Sequence, residues 1–140
     1  MNDFIFPVRS VLLLVAAALM LFSTACNDGG NTPTEVEENL VITIDPDPGS
    51  AIATALGSSY TFKVNITSKM PAQGVDITTT YRKDSDNSVI FSQTLQTTSS
   101  PINVTITGIP LNEVGTVTVE VKSKSKPTNT ATKTFKLVRK

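Results

Sequence analysis

The sequence predicts an all-β fold: a seven-stranded antiparallel immunoglobulin-like sandwich over residues 40–140, preceded by a signal peptide and a flexible tether. Three observations carry that expectation. First, 21 Thr, 13 Ser, 14 Val and 10 Ile among 140 residues give the composition of pleated, half-buried strands rather than helices. Second, apolar residues recur with period two from Leu40 onward, the signature of strands with one face buried. Third, clusters of Pro, Gly, Asp, Asn and Ser interrupt the alternation roughly every 8–12 residues, as turns of a sandwich do. A chain of this length is, as a prior, one domain.

The N-terminus comes first in the chain and reads as an address. Arg9 is the one basic side chain before an unbroken apolar run of twelve residues, Val11–Phe22, which is followed by the small residues Ser23, Thr24 and Ala25. A charged start, a short apolar core and a small-residue cleavage site describe a secretory signal peptide, residues 1–25, cut after Ala25. As a helix, twelve residues span roughly 18 Å against about 30 Å of hydrocarbon, too little for a membrane crossing. Cys26, the one cysteine of the chain, follows directly. A lone cysteine in an exported chain cannot pair within it, so at this position it reads as a chemical handle.

Ser23-Thr24-Ala25-Cys26 resembles the lipobox of bacterial lipoproteins, in the looser form found in the Bacteroidetes, although that family usually has Leu or Val where Ser23 stands. The resemblance implies a diacylated thiol on Cys26, cleavage after Ala25, acylation of the new amine and an anchor in the outer membrane. Several acyl chains on one residue hold stably, since each buried CH₂ contributes about 0.8 kcal/mol. Residues 26–39 hold a single sizeable apolar side chain, Val36, and four acids, Asp28, Glu35, Glu37 and Glu38. Such a segment buries too little surface to offset its ordering entropy. It is expected to be a flexible acidic tether with an r.m.s. reach of roughly 20 Å. In the lipoproteins it resembles, acids after the cysteine mark surface export; a plain linker is the equal alternative.

The strands follow. Leu40 to Ile44 opens the series. Tyr60, Phe62, Val64 and Ile66 alternate with Thr61, Lys63, Asn65 and Thr67; Val75, Ile77, Thr79 and Tyr81 alternate with Asp76, Thr78, Thr80 and Arg82. Val89, Phe91 and Leu95 share a parity that Ile90 breaks. Ile102, Val104 and Ile106 form the fifth strand, Val117, Val119 and Val121 the sixth, Phe135 and Leu137 the last. Between them, Asp45–Ser50, Lys83–Ser88 and Lys124–Asn129 carry turn chemistry, and proline cannot donate to a ladder. The expected core is Phe62, Val64, Ile66, Ile77, Phe91, Val104, Ile106, Val119, Val121 and Phe135. The stretch from Gly115 to Val121, its loop, and Asn129 to Leu137 resemble the closing hairpin of Ig-like modules of bacterial surface proteins. Two departures stand out: Val117 occupies the usual tyrosine position, and the inter-sheet disulfide with its Trp is absent.

Composition also limits the chemistry. With no His, His-based acid–base catalysis and His-ligated metals are excluded, and twelve basic against twelve acidic residues leave no basic footprint for nucleic acid. The Asp84-Ser85-Asp86-Asn87 start of a calcium loop fails at its sixth and twelfth positions, Val89 and Leu95, where such loops need Gly and Glu. No catalytic residue, cofactor or metal is therefore expected. Two features could bind a ligand. Tyr60, Phe62, Tyr81, Phe91 and Phe135 all fall on the inward parity and read as core, and Tyr81, ending a strand beside Arg82, is the exception best placed to keep its hydroxyl in water. Lys122, Lys124 and Lys126 share a parity and could form a basic stripe for an acidic polymer, lipid or the folded-back tether. Guarding a sheet edge is the reading the sequence favours for these lysines. The functional expectation is a non-catalytic, lipid-anchored envelope module with a binding or structural accessory role, in an envelope protein complex or on a glycan. The alternatives are a carbohydrate-binding accessory of a polysaccharide-uptake system and an envelope enzyme inhibitor.

Overall fold

The computed structural model describes residues 36–140. The signal peptide, Ala25, Cys26 and the tether up to residue 35 lie outside the described residues. All the regular structure from residue 36 onward is β: β1 (Ile42–Asp45), β2 (Ile52–Ala55), β3 (Ser59–Ile66), β4 (Val75–Lys83), β5 (Val89–Thr97), β6 (Ile102–Thr107), β7 (Val114–Ser123) and β8 (Thr130–Arg139). They form a three-stranded sheet, β1-β3-β6, and a five-stranded sheet, β2-β8-β7-β4-β5. The expected count of seven is thus corrected to eight, and the expectation of purely antiparallel pairing is corrected too, because β2 runs parallel to β8.

The missed strand has a physical explanation. In β2 the inward positions are Ala53 and Ala55, whose small side chains give almost no hydrophobic alternation. The strand is defined instead by its ladder to Lys136–Arg139. Elsewhere the period-two pattern translates directly into burial. Val75, Ile77, Thr79 and Tyr81 of β4 face inward, as do Val117, Val119 and Val121 of β7. The parity break at Ile90 is a β-bulge: Tyr81 pairs with Phe91 but Arg82 pairs with Val89, leaving Ile90 as the extra residue.

The sheets pack face to face over one core. Phe62 of β3 meets Phe135 of β8 edge-on, with ring centroids 5.3 Å apart, and Tyr60 stands 6.2 Å from Phe135. Eight of the ten expected core residues are buried; Ile66 and Phe91 are half-buried against the same cluster. No disulfide bridges the described residues, so this apolar layer, with its ladders, holds the sheets together.

Candidate functional site

Alternating strand directions collect the loops at two ends of the sandwich. One end holds residues 36–41 and the loops 67–74, 98–101 and 124–129; the other holds 56–58, 84–88, 108–113 and the residues after β8.

The first end clasps the chain as it enters the fold. Asn129, in the turn closing onto β8, is only 6% exposed and uses its whole amide. Its Oδ1 accepts from the Leu40 N–H at 2.9 Å, and its Nδ2 donates to Glu37 Oε1 at 2.6 Å and to the Glu38 carbonyl at 2.8 Å. The hydroxyls of Ser123 and Ser125 donate to Glu37 Oε2 at 3.0 and 2.8 Å, and the Lys69 N–H donates to Glu38 Oε2 at 3.0 Å. The Asn129 amide above all, then the two serine hydroxyls and the nearby charge of Lys126, hold the Glu37 carboxyl below its ordinary value of 4.5 against a desolvation that pushes it up. The last residues of the expected tether are therefore fixed on the sandwich. Fold-back onto Lys122, Lys124 and Lys126 is one option the sequence offers; the partners that receive Glu37 are chiefly neutral hydrogen-bond donors.

The opposite end carries a polar cluster and, in its loops, two exposed leucines. Lys136 Nζ lies 2.7 Å from Asp84 Oδ2 and donates to Thr116 Oγ1 at 2.7 Å, while the Thr116 hydroxyl donates to Asp84 Oδ1 at 2.7 Å. The Lys136 bond first and the Thr116 bond second keep the Asp84 carboxyl below 3.8. Asp86 accepts from the Ser88 N–H at 2.9 Å, and the Ser88 bonds hold its carboxyl low as well. Both acids of the Asp84–Asn87 turn are thus engaged by neighbouring backbone and strand side chains. Around them, Leu56 is 92% exposed and Leu111 57% exposed. Arg139 links the two loops: it pairs with Ala55 in β2, bridges to Leu111, and donates to the Ile109 carbonyl at 3.4 Å.

The residues singled out from the sequence do not converge. Tyr81 and Arg82 sit towards the Leu56/Leu111 end, whereas Lys122, Lys124 and Lys126 sit at the clasp end. Tyr81 is corrected outright as a ligand-facing residue. Its side chain is 0% exposed, and its hydroxyl donates to the carbonyls of Leu137 and Glu113 at 3.4 and 3.5 Å. Burial, then the charges of Asp84 and Glu113, raise its phenol above 10.0. Arg82 donates to the Asn87 carbonyl at 3.2 Å. Lys122 lies 3.7 Å from Glu120, and Lys124 reaches Gln96 at 3.5 Å beside an open depression of about 310 Å³ lined by Gln73, Gln96, Thr97 and Thr98. Edge protection is corrected for Lys122, because β7 lies inside the five-stranded sheet between β8 and β4. Sequence reasoning missed Asn129, Leu56 and Leu111. Two leucines in turn segments carried a signal, since turns rarely spend apolar residues, but nothing in the sequence marked Asn129 apart from other turn asparagines.

Among the described residues no group of three His, Cys, Asp or Glu side chains stands close enough to hold a metal, and no helix is long and apolar enough to cross a membrane. No protein-family model matches the chain, and no curated protein matches it.

Proposed function

We propose that this chain is a lipid-anchored module of the bacterial cell envelope, an Ig-like sandwich that acts without catalysis, by presenting a binding surface on its loops. The carrying observation is the polarity of the sandwich. The Glu37–Asn129 clasp fixes the entry of the chain at one end, where Val36 and Val41 are exposed in the entering segment, and the exposed loop leucines Leu56 and Leu111 stand at the other. A module held through Cys26 would direct its clasp end to the membrane and its leucine-bearing loops to a partner. Two exposed leucines on neighbouring loops offer an apolar contact that suits a protein surface better than a free sugar. The strand order supports the Ig-like reading. β1, β3 and β6 stand as the first, second and fifth strands of such a sandwich do, β4, β7 and β8 as its second sheet, and β5 as an added strand beside β4. With Tyr81 in the core, the glycan reading loses its aromatic platform.

Cys26→Ala tests the anchor. The variant should leave the membrane fraction or accumulate unprocessed, and labelled palmitate should no longer be incorporated. Membrane attachment of a variant that has lost its signal peptide would refute the lipid anchor. Protease shaving of intact cells, followed on residues 40–140, then decides between the cell surface and the periplasmic face.

A further inference from the structure

The five-stranded sheet ends on β5, a strand whose one edge protection is the bulge at Ile90, outside its Phe91–Leu95 centre. Natural edges are kept short, or carry Lys, Pro or inward charges, because their free N–H and C=O groups template pairing with another chain. The other edges follow that rule: β1 and β2 have four residues each, with Pro46 and Pro48 between them, and β6 has six, with Pro101 before it. β5 has nine residues, Val-Ile-Phe-Ser-Gln-Thr-Leu-Gln-Thr, without a charge or a proline. Its two inward apolar side chains, Phe91 and Leu95, are only half-buried against the core.

We infer that β5 pairs antiparallel with β5 of a second copy of this chain, about a twofold axis through Gln93. The sequence of the strand selects that partner and that register. With Gln93 opposite itself, Phe91 falls opposite Leu95 of the second copy and Leu95 opposite its Phe91, so each half-covered apolar side chain gains an apolar neighbour. Ser92 falls opposite Thr94, hydroxyl against hydroxyl, and the two Gln93 amides meet on the axis. Shifting the axis to Thr94 would set Leu95 against Gln93 and Phe91 against Thr97, leaving both apolar groups facing polar ones. No like charges meet within the strand, and the cations beside it, Arg82 paired with Val89 and Lys124 reaching Gln96, lie outside the Phe91–Leu95 centre.

The scale of the contact sets its strength. A nine-residue strand is about 30 Å long. A flank roughly 15 Å deep then buries about 900 Å² in total, below the ~1,200–2,000 Å² of stable complexes. The dimer forms where copies are concentrated and dissociates on dilution.

Disulfide trapping reads the register. The full chain, with Cys26 kept, is made in cells with Gln93→Cys or with Thr94→Cys and treated with a mild oxidant, and the parent chain controls for disulfides through Cys26. Both positions are exposed, so neither substitution disturbs the core. On the axis, two residues at position 93 lie within the ~7 Å Cα limit for a disulfide, whereas two at position 94 lie roughly 8–9 Å apart. The expected result is a reducible dimer with Gln93→Cys, at least tenfold more abundant than with Thr94→Cys. Equal or reversed yields overturn the register. Absence of the dimer from both variants, or cross-linking to a different protein, overturns self-pairing.

Discussion

Asn129→Ala removes the side chain that makes three of the bonds tying the entering segment to the closing hairpin, beside the two from Ser123 and Ser125, and its cost can be worked from its partners. Three bonds are lost, to the Leu40 N–H, the Glu37 carboxylate and the Glu38 carbonyl. Glu37 and Glu38 sit in an accessible segment and regain water when it lifts, so their net loss is small. The Leu40 N–H belongs to a residue that is nearly buried in the core. Leaving such a donor unsatisfied costs about 1–3 kcal/mol, unless Leu40 is itself pulled out of the core at a similar price in burial. The expected destabilisation is about 2 kcal/mol, which in a domain of roughly 100 residues lowers Tm by about 8–16 °C. Urea titration of the chain reads the global term, and hydrogen exchange at Leu40 reads the local one. Protection at Leu40 should drop while that of Val119 and Val121 falls only with global stability. A loss under about 0.5 kcal/mol together with unchanged exchange at Leu40 would refute the clasp.

The remaining predictions concern the core, the strand ends and pH. Thr79 Oγ1 is buried without a hydrogen-bond partner, so Thr79→Val should raise the urea midpoint, stabilising by about 1 kcal/mol; an unchanged or lower midpoint would mean the hydroxyl is satisfied in solution. Gly115 lies where an added Cβ would overlap the Arg82 carbonyl and stand 2.5 Å from Tyr81 Cε2, so Gly115→Ala should destabilise by about 2–3 kcal/mol or more. Gly57→Ala, with nothing within 4 Å, should change the midpoint little, and similar midpoints for the two variants would contradict the packing of Tyr81 against β7. Glu37, Asp84 and Asp86 all have folded values below their ordinary 4.5, 3.8 and 3.8. The stability they contribute is present in full above those values and is lost as pH falls through the depressed folded ones. Stability measured from pH 7 downward should therefore fall less steeply for Glu37→Gln below about 4.5 than for the parent, and parallel curves would remove Glu37 from the acid-sensitive set.

How much of this was legible in the sequence depends on which physical signal each feature leaves. β4 and β7 could be read residue by residue, because a central strand with one buried face alternates strictly and Val and Ile fill its inward positions. β2 could not, since Ala53 and Ala55 leave no amplitude in the pattern and the strand exists through a parallel ladder to β8, a long-range pairing. The same non-locality misplaced Lys122: parity along β7 was right, but its position between two neighbours depends on strand order, which no local pattern encodes. Tyr81 failed for a different reason. A tyrosine near a strand end is amphipathic and suits either setting, and two backbone carbonyls supplied by β8 and the segment before β7 decided for the interior.

The site follows the same logic. Asn129 acquires its role from Leu40 and Glu37, residues about 90 positions away in the chain, so no window around it marks it. Leu56 and Leu111 stand apart because turn segments seldom carry exposed leucines without a use, and Arg139 joins their two loops at the end opposite the clasp. If those leucines face a partner, replacing both with serine should leave the urea midpoint within about 0.5 kcal/mol, since surface groups contribute little to folding. Retention of a cross-linked partner in intact cells should nonetheless fall. A large loss of stability would instead make them structural, and the binding end of the module would have to be sought elsewhere, with the uncharged β5 edge the next surface to test.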